Sequence, residues 1–251
     1  MAEALLCTRG LSRRFGAVQA TDHVDLDVAA GTLHAVIGPN GAGKSTLIGQ
    51  LAGEIATDAG RIVFAGDDIT RLPVHRRAHA GLARSFQITS IFSGFSVREN
   101  VALAVQAHAG HSFRFWRRAD RERGLNERAE AMLARVNLGD EAQRLAGELA
   151  HGQKRQLELA MALAGNPRLL LLDEPMAGMG AEEGARLAEL LRSLRDEVTI
   201  LLVEHDMDVV FSLSDQITVL IFGRVVITGT PEAIRASDEV QAAYLGEHAA
   251  C

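Results

Sequence analysis

The chain has 251 residues, 47% of them hydrophobic, and a mean hydropathy of +0.07, which suits one large domain or two lobes around a shared core and excludes a disordered polymer. Acidic residues number 32 against 26 basic ones, for a formal charge of −6 and a pI near 5.9, a balance that argues against the broad positive surface dominating nucleic-acid affinity. No window approaches the roughly 20 apolar residues of a membrane span, and Met1 to Gly10 lacks the basic segment and long apolar stretch of a secretory signal. The expectation is a soluble protein, held at a membrane only by a partner. Cys7 and Cys251 form no metal-spacing pair and no disulfide framework, so a reduced compartment is the default.

In chain order, Leu5 to Thr8, Val24 to Val28 and Leu33 to Ile37 are short apolar or alternating runs separated by Gly10, Gly16 and Gly31, and read as strands. A helix continues over Thr46 to Leu51, with Gly53 as its stop. Gly60 to Ala65 reads as a strand entering a turn at Gly66-Asp67-Asp68. From Val97 to Gly165 the period becomes helical, interrupted over residues 110–124 by Phe113-Arg114-Phe115-Trp116-Arg117-Arg118. Arg168 to Leu172 and Val198 to Val203 then read as buried strands. Between them Leu187, Leu190, Leu191 and Leu194 mark an amphipathic helix. Ile217 to Phe222 and Val225 to Ile227 form a hairpin around Gly223-Arg224. Strands alternating with helices predict an α/β fold with a mostly parallel sheet, an N-terminal antiparallel β portion, and a helical subdomain of about residues 88–165 inserted into a core of 1–87 and 166–251.

Gly38-Pro39-Asn40-Gly41-Ala42-Gly43-Lys44-Ser45-Thr46 fits the phosphate-loop pattern G-x-x-x-x-G-K-[ST], after a strand and before a helix. Glycines let backbone N–H groups converge on phosphate oxygens, and the helix N-terminus adds partial positive charge. Lys44 would reach the β- and γ-phosphates of a nucleotide, and Ser45 would ligate Mg²⁺. Asp173 ends a four-leucine strand, where a carboxylate can hold Mg²⁺ directly or through water. Glu174 would point the opposite way along the strand, as general base toward an attacking water. Taken alone, these two acids could instead be helix caps before Pro175. Gln87, at the junction with the helical lobe, can ligate Mg²⁺ and sense the γ-phosphate, or be a solvated amide. His205, beyond the carboxyl end of a strand, can bond the γ-phosphate, although a lone histidine is more often structural.

Leu149-Ala150-His151-Gly152-Gln153 opens a helix just before the strand ending in Asp173-Glu174. Together with the phosphate loop, this resembles the signature and acidic strand of the ATP-binding-cassette ATPases over nearly the whole chain. The resemblance implies ATP hydrolysis with Mg²⁺, two such subunits closing on ATP, and docking to integral membrane permease subunits at the cytoplasmic face of the membrane. It implies that Phe15 stacks on adenine, where the bare alternative is a core Phe. Gly81 to Gln87, Asp173 to Met179, Glu204-His205-Asp206-Met207, Gly229-Thr230-Pro231-Glu232 and Ala243-Tyr244-Leu245-Gly246 are similar to the ATPase subunits of branched-chain amino-acid importers, which an external binding protein supplies with cargo. Urea and amide importers share much of this pattern, including the His of L-x-H-G-Q.

Two positions depart from the family. Ala150 stands where a serine hydroxyl usually binds the partner's γ-phosphate, and Gly180 stands where Asp or Asn is usual. One lost hydrogen bond to a charged group is worth about 1.5–3 kcal/mol, roughly 10- to 150-fold in an equilibrium constant. The expected pair is therefore unequal, with a related ATPase carrying the intact signature. Phe113 to Arg118, with Arg121 and Arg123, reads as a solvated helix, a contact with lipid or permease, or, least in keeping with the acidic balance, a nucleic-acid contact. A soluble cassette acting on DNA or the ribosome usually carries two cassettes or an added insertion, neither of which this sequence has. A phosphate-loop kinase would transfer phosphate to an acceptor instead.

Overall fold

Alternating residues pair into strands at the start of the chain, and the pairing runs further than the sequence pattern suggests. In the computed structural model, which describes residues 4–85, 91–108, 123–238 and 240, β1 (Ala4–Phe15) and β2 (Val18–Ala29) form an antiparallel hairpin. The reading that stops the first strand before Gly10 is too short. Gly10, at φ 60°, absorbs a bulge between Thr8 and Leu11, and its N–H donates to Asp25 Oδ1 at 2.6 Å, so the strand continues. Ala65 and Gly66, both at positive φ, turn the chain between β4 (Ala59–Phe64) and the two-residue β5 (Asp67–Asp68). These strands make an antiparallel sheet in the order β2-β1-β4-β5.

The second sheet contains β3 (Leu33–Ile37), β6 (Leu82–Arg84), β7 (Leu169–Asp173), β8 (Thr199–Val203), β9 (Gln216–Ile221) and β10 (Arg224–Gly229). Its order is β10-β9-β3-β8-β7-β6, and only the β9–β10 pair is antiparallel. Every residue of β3, β7 and β8 is buried, as their unbroken apolar runs require. Because these three neighbours run parallel, their carboxyl ends open on one edge of the sheet. In such folds that edge is where ligands bind.

Alternate residues of the strands face opposite layers. On one side Leu169, Leu171, Leu201 and Val203 pack against Leu47, Ile48 and Leu51 of α1 (Lys44–Ala52) and against Leu6, Leu26, Ile62 and Phe64 of the antiparallel sheet. On the other side Leu170, Leu172, Ile200 and Leu202 meet the leucine stripe of α6 (Ala181–Leu194), whose Leu187, Leu190, Leu191 and Leu194 are all buried. The helices of the inserted segment, α3 (Val97–His108), α4 (Arg123–Arg135) and α5 (His151–Leu163), continue that same apolar layer through Val101, Val105, Leu133, Leu157 and Leu163. The short helices α2 (Val74–His79), α7 (Met207–Leu213) and α8 (Pro231–Arg235) complete the α-helices of the described residues. Arg77 of α2 is buried and donates to the carbonyls of Gln50 and Leu51, satisfying the C-terminal end of α1. Among the described residues no helix is long and apolar enough to cross a membrane.

Candidate nucleotide site

The phosphate loop leaves the carboxyl end of β3 and turns directly into α1. Two of its glycines are required sterically: a β-carbon on Gly38 would lie 2.0 Å from the Leu220 carbonyl oxygen, and one on Gly43 would lie 2.0 Å from that of Ala20. Gly38, Gly41 and Gly43 all have positive φ. The Ala42 N–H donates to the Pro39 carbonyl, and the N–H of Gly223, in the β9–β10 turn, donates to the Ala42 carbonyl at 2.9 Å. Gly43 at the N-cap offers no side chain, so the first turn of α1 keeps its N–H donors for an anion. Lys44 is buried and folds back over the loop, with Nζ donating to the carbonyls of Gly38 at 2.6 Å and Pro39 at 3.0 Å. Ser45 and Asn40 lie at the accessible surface of the loop, and Thr46 is half-buried.

Asp173 closes β7 with its side chain fully buried. Arg84, at the end of β6, contacts Oδ2 at 3.2 Å and also pairs with Glu54, while Oδ1 has no hydrogen-bond partner among the described residues. Burial raises the Asp173 pKa above the usual carboxylate range and the Glu174 charge adds to that; Arg84 and the Ser45 hydroxyl oppose it without cancelling it. An orphaned buried carboxylate oxygen close to a hydroxyl is a donor set that suits a hard divalent cation. Among the described residues no three His, Cys, Asp or Glu cluster for a metal.

Glu174 does not take its direction from strand alternation, as the sequence reading supposed. It lies past the end of β7 with φ 48°, in the left-handed region, and its N–H donates to the Val203 carbonyl at 2.9 Å. Such a backbone costs on the order of 1–3 kcal/mol for a non-glycine residue and persists only where its surroundings over-determine it. The neighbouring Glu204 supplies part of that restraint. It is buried at 1% exposure, Oε1 accepts the Met176 N–H at 3.0 Å, and Oε2 accepts the His205 N–H at 3.2 Å. Burial pushes its pKa up, the two N–H groups pull the other way, and the Glu174 charge adds to the rise. The His205 ring is 63% exposed beside it, with Nδ1 3.8 Å from Glu204 Oε2.

Phe15 ends β1 and is 45% exposed, so it is not a core residue; the Arg13 guanidinium covers one face at 4.7 Å from the ring centroid. Gln87, the basic–aromatic run Phe113 to Arg118 with Arg121, and the segment Ala243 to Gly246 lie outside the described residues. Arg84 and Glu204 fall within segments that carry the family resemblance, but the sequence reading assigned neither a role, since each reads as an ordinary charged residue beside a strand.

Leu149 is buried, while Ala150 and His151 are exposed at the start of α5. Ala150 is the N-cap without a side-chain acceptor; only the reciprocal half of a capping box is made, from the Ala150 N–H to Gln153 Oε1 at 3.1 Å. Gln153 Nε2 donates to Glu141, and Gly152 lies against Glu183, near the start of α6. The His151 Nε2 lies 3.3 Å from the Ala177 carbonyl, joining this segment to the loop that follows Glu174. Gly180, the N-cap of α6, likewise provides no side-chain cap.

The chain matches the ABC transporter family model over residues 21–177, and a model of the branched-chain amino acid ATP-binding cassette transporters over residues 224–250. It is 41% identical to the high-affinity branched-chain amino acid transport ATP-binding protein BraF of Pseudomonas aeruginosa, across 98% of this chain and 100% of that protein. The corresponding LivG protein of Escherichia coli K12 is 37% identical over the same shares. A solved ATP-binding cassette of an ABC transporter, in its ADP conformation, superimposes with a TM-score of 0.86 at 28% identity, over 98% of this chain and 100% of that one. By its cassette match over more than half the sequence and its near full-length relatives, the chain belongs to the ABC transporter family, as one of its ATPase cassettes.

Proposed function

We propose that this cassette drives the import of branched-chain amino acids, binding and hydrolysing ATP at the membrane's cytoplasmic face while attached to permease subunits that an external binding protein supplies. The observation that supports this cargo class is the full-length likeness to BraF and LivG, together with the C-terminal match over residues 224–250. In this reading residues 88–165 form the helical subdomain that, with Gln87, meets the permease.

The placement of the described residues supports their roles, and the family resemblance supports that of Gln87. Phe15 stacks on adenine with the face that Arg13 leaves open. The glycine loop from Gly38 to Gly43 presents its N–H groups to the phosphates, and Lys44 exchanges the carbonyls of Gly38 and Pro39 for phosphate oxygens. Ser45, Gln87 and Asp173 would hold Mg²⁺, which when bound neutralises phosphate charge. Glu174 orients and deprotonates water, and His205 bonds the γ-phosphate.

Leu149 to Gln153 act across a dimer: the exposed start of α5 offers N–H groups to the nucleotide of a second cassette. Ala150 offers no hydroxyl there, which favours a heterodimer in which the partner's signature serves this chain's site and this chain's weaker one serves the partner. No nucleic acid takes part.

The test is purification of the membrane complex through a tagged copy of this chain, with uptake assayed in reconstituted vesicles. The expected result is co-purification of a second cassette and two permeases, with uptake of labelled leucine that Glu174→Gln abolishes. Uptake of urea without leucine would move the cargo to the urea and amide class, and association with ribosomes in place of permeases would overturn the importer.

A further inference from the structure

The carboxylate of Glu204 follows directly on β8, where the four preceding residues, Ile200 to Val203, are apolar and buried. A buried charge is costly unless its hydrogen bonds are made. Here each oxygen is used by a different loop: Oε1 by the Met176 N–H, two residues past Glu174, and Oε2 by the His205 N–H. The residue before it, Val203, accepts the Glu174 N–H. Two consecutive residues, the last of β8 and the one after it, therefore hold the loop after β7 at positions 174 and 176. One of them also fixes the backbone that carries His205.

We infer that Glu204 is a positioning residue for ATP hydrolysis, a clasp that sets Glu174 and His205 in fixed relation to each other by accepting a backbone N–H from each of their loops. The inference rests on the roles proposed above for those two residues. An ionised carboxylate offers a strong acceptor oxygen to each of the two donors. An amide of the same shape must turn its NH₂ toward one of them, so Gln preserves packing and breaks one half of the clasp. Asp keeps the charge but is one methylene shorter, so it reaches the two N–H groups less well. Glu204 touches neither water nor phosphate in this account; it acts through Glu174 and His205.

The experiment compares wild type, Glu204→Gln, Glu204→Asp and Glu174→Gln as full-length chains in the purified transporter complex, measuring kcat and KM for ATP. Glu204→Gln is expected to lower kcat by about 10- to 100-fold, through the loss of one charge-assisted hydrogen bond that positions Glu174 or His205. KM for ATP should stay within about threefold, because the phosphate loop is untouched. Glu204→Asp should recover part of kcat. Equal losses in kcat and in ATP affinity, or wild-type kcat in Glu204→Gln, would overturn the inference. If Glu174→Gln itself hydrolyses normally, the assignment of Glu174 fails first; if it is inactive while Glu204→Gln is normal, the clasp alone fails. Should the Glu204 variants not fold, amide exchange of the wild-type complex decides: the N–H groups of Met176 and His205 are expected to be protected, and rapid exchange at both refutes the clasp.

Discussion

At the scale of single residues, the phosphate loop separates glycines needed for space from glycines needed for conformation. Gly38 and Gly43 have a backbone carbonyl where a β-carbon would go, whereas Gly41 has open space around it and only its positive φ to protect. Gly41→Ala should therefore cost on the order of 1 kcal/mol in urea unfolding and leave ATP binding measurable. Gly38→Ala and Gly43→Ala should each cost several times that and abolish binding, since backbone must move. Similar losses in all three variants would show that the carbonyls of Leu220 and Ala20 yield easily. Ala150 permits a second comparison. Ala150→Ser supplies both an N-cap acceptor for α5 and a hydroxyl for the partner's phosphate. The cap should add roughly 1 kcal/mol, a rise of about 2–4 °C in Tm for a chain of this size. The hydroxyl should tighten the ATP-closed dimer about 10- to 150-fold, read by sedimentation of a hydrolysis-deficient pair. A rise in Tm without tighter closure would place Ala150 away from the partner's phosphate. The phosphate loop, Asp173 and the L-x-x-G-Q element were legible in the sequence because their chemistry depends on local spacing. The roles of Glu204 and Arg84 were not, although both lie in family-like segments, because each gains meaning only from groups brought to it by strand pairing: Met176 for the first, Glu54 and Asp173 for the second.

At the scale of elements, β3 carries a polar side chain in an otherwise apolar strand. His34 is 1% exposed, with Nε2 2.8 Å from Thr218 Oγ1 on β9, and burial lowers its pKa to about 4, against a small opposing pull from Asp27. The folded chain thus holds His34 neutral over a range in which the unfolded chain, with its ordinary pKa near 6.5, takes up a proton. The unfolded state binds more protons, so this group's contribution is full above about pH 6.5 and falls as pH drops toward 4. The loss is on the order of 3 kcal/mol. His34→Gln, which can still hydrogen-bond Thr218, should flatten the pH dependence of urea unfolding between those limits; an unchanged slope would show that His34 is protonated in the folded chain. Element boundaries were legible where apolar runs were unbroken, as in β3, β7 and β8. They were misjudged at β1, where Gly10 looks like a terminator by composition and is a bulge by geometry. The short α2 and β6 escaped notice because neither buries a periodic face of its own.

At the scale of the whole molecule, one edge of the parallel sheet gathers the phosphate loop from β3, Asp173 and Glu174 from β7, and Glu204 and His205 from β8. The strand order that achieves this places β3 between β8 and β9, pairing Leu33 with Ile200 and His34 with Gln216. The phosphate loop then depends on the β9–β10 turn for a hydrogen bond to Ala42. During synthesis, the glycine loop leaves the ribosome long before the strands that flank its own strand exist. A nascent chain released at residue 195 would contain the whole phosphate-loop motif and lack both neighbours of β3, so ATP should not protect it from proteolysis. Protection should appear only in chains that extend past Arg224. Until then β3 is an apolar segment with two unpaired edges, and aggregation competes with folding for it. The price of setting the nucleotide loop on a central strand is that a part of the site made early is among the last to acquire its shape.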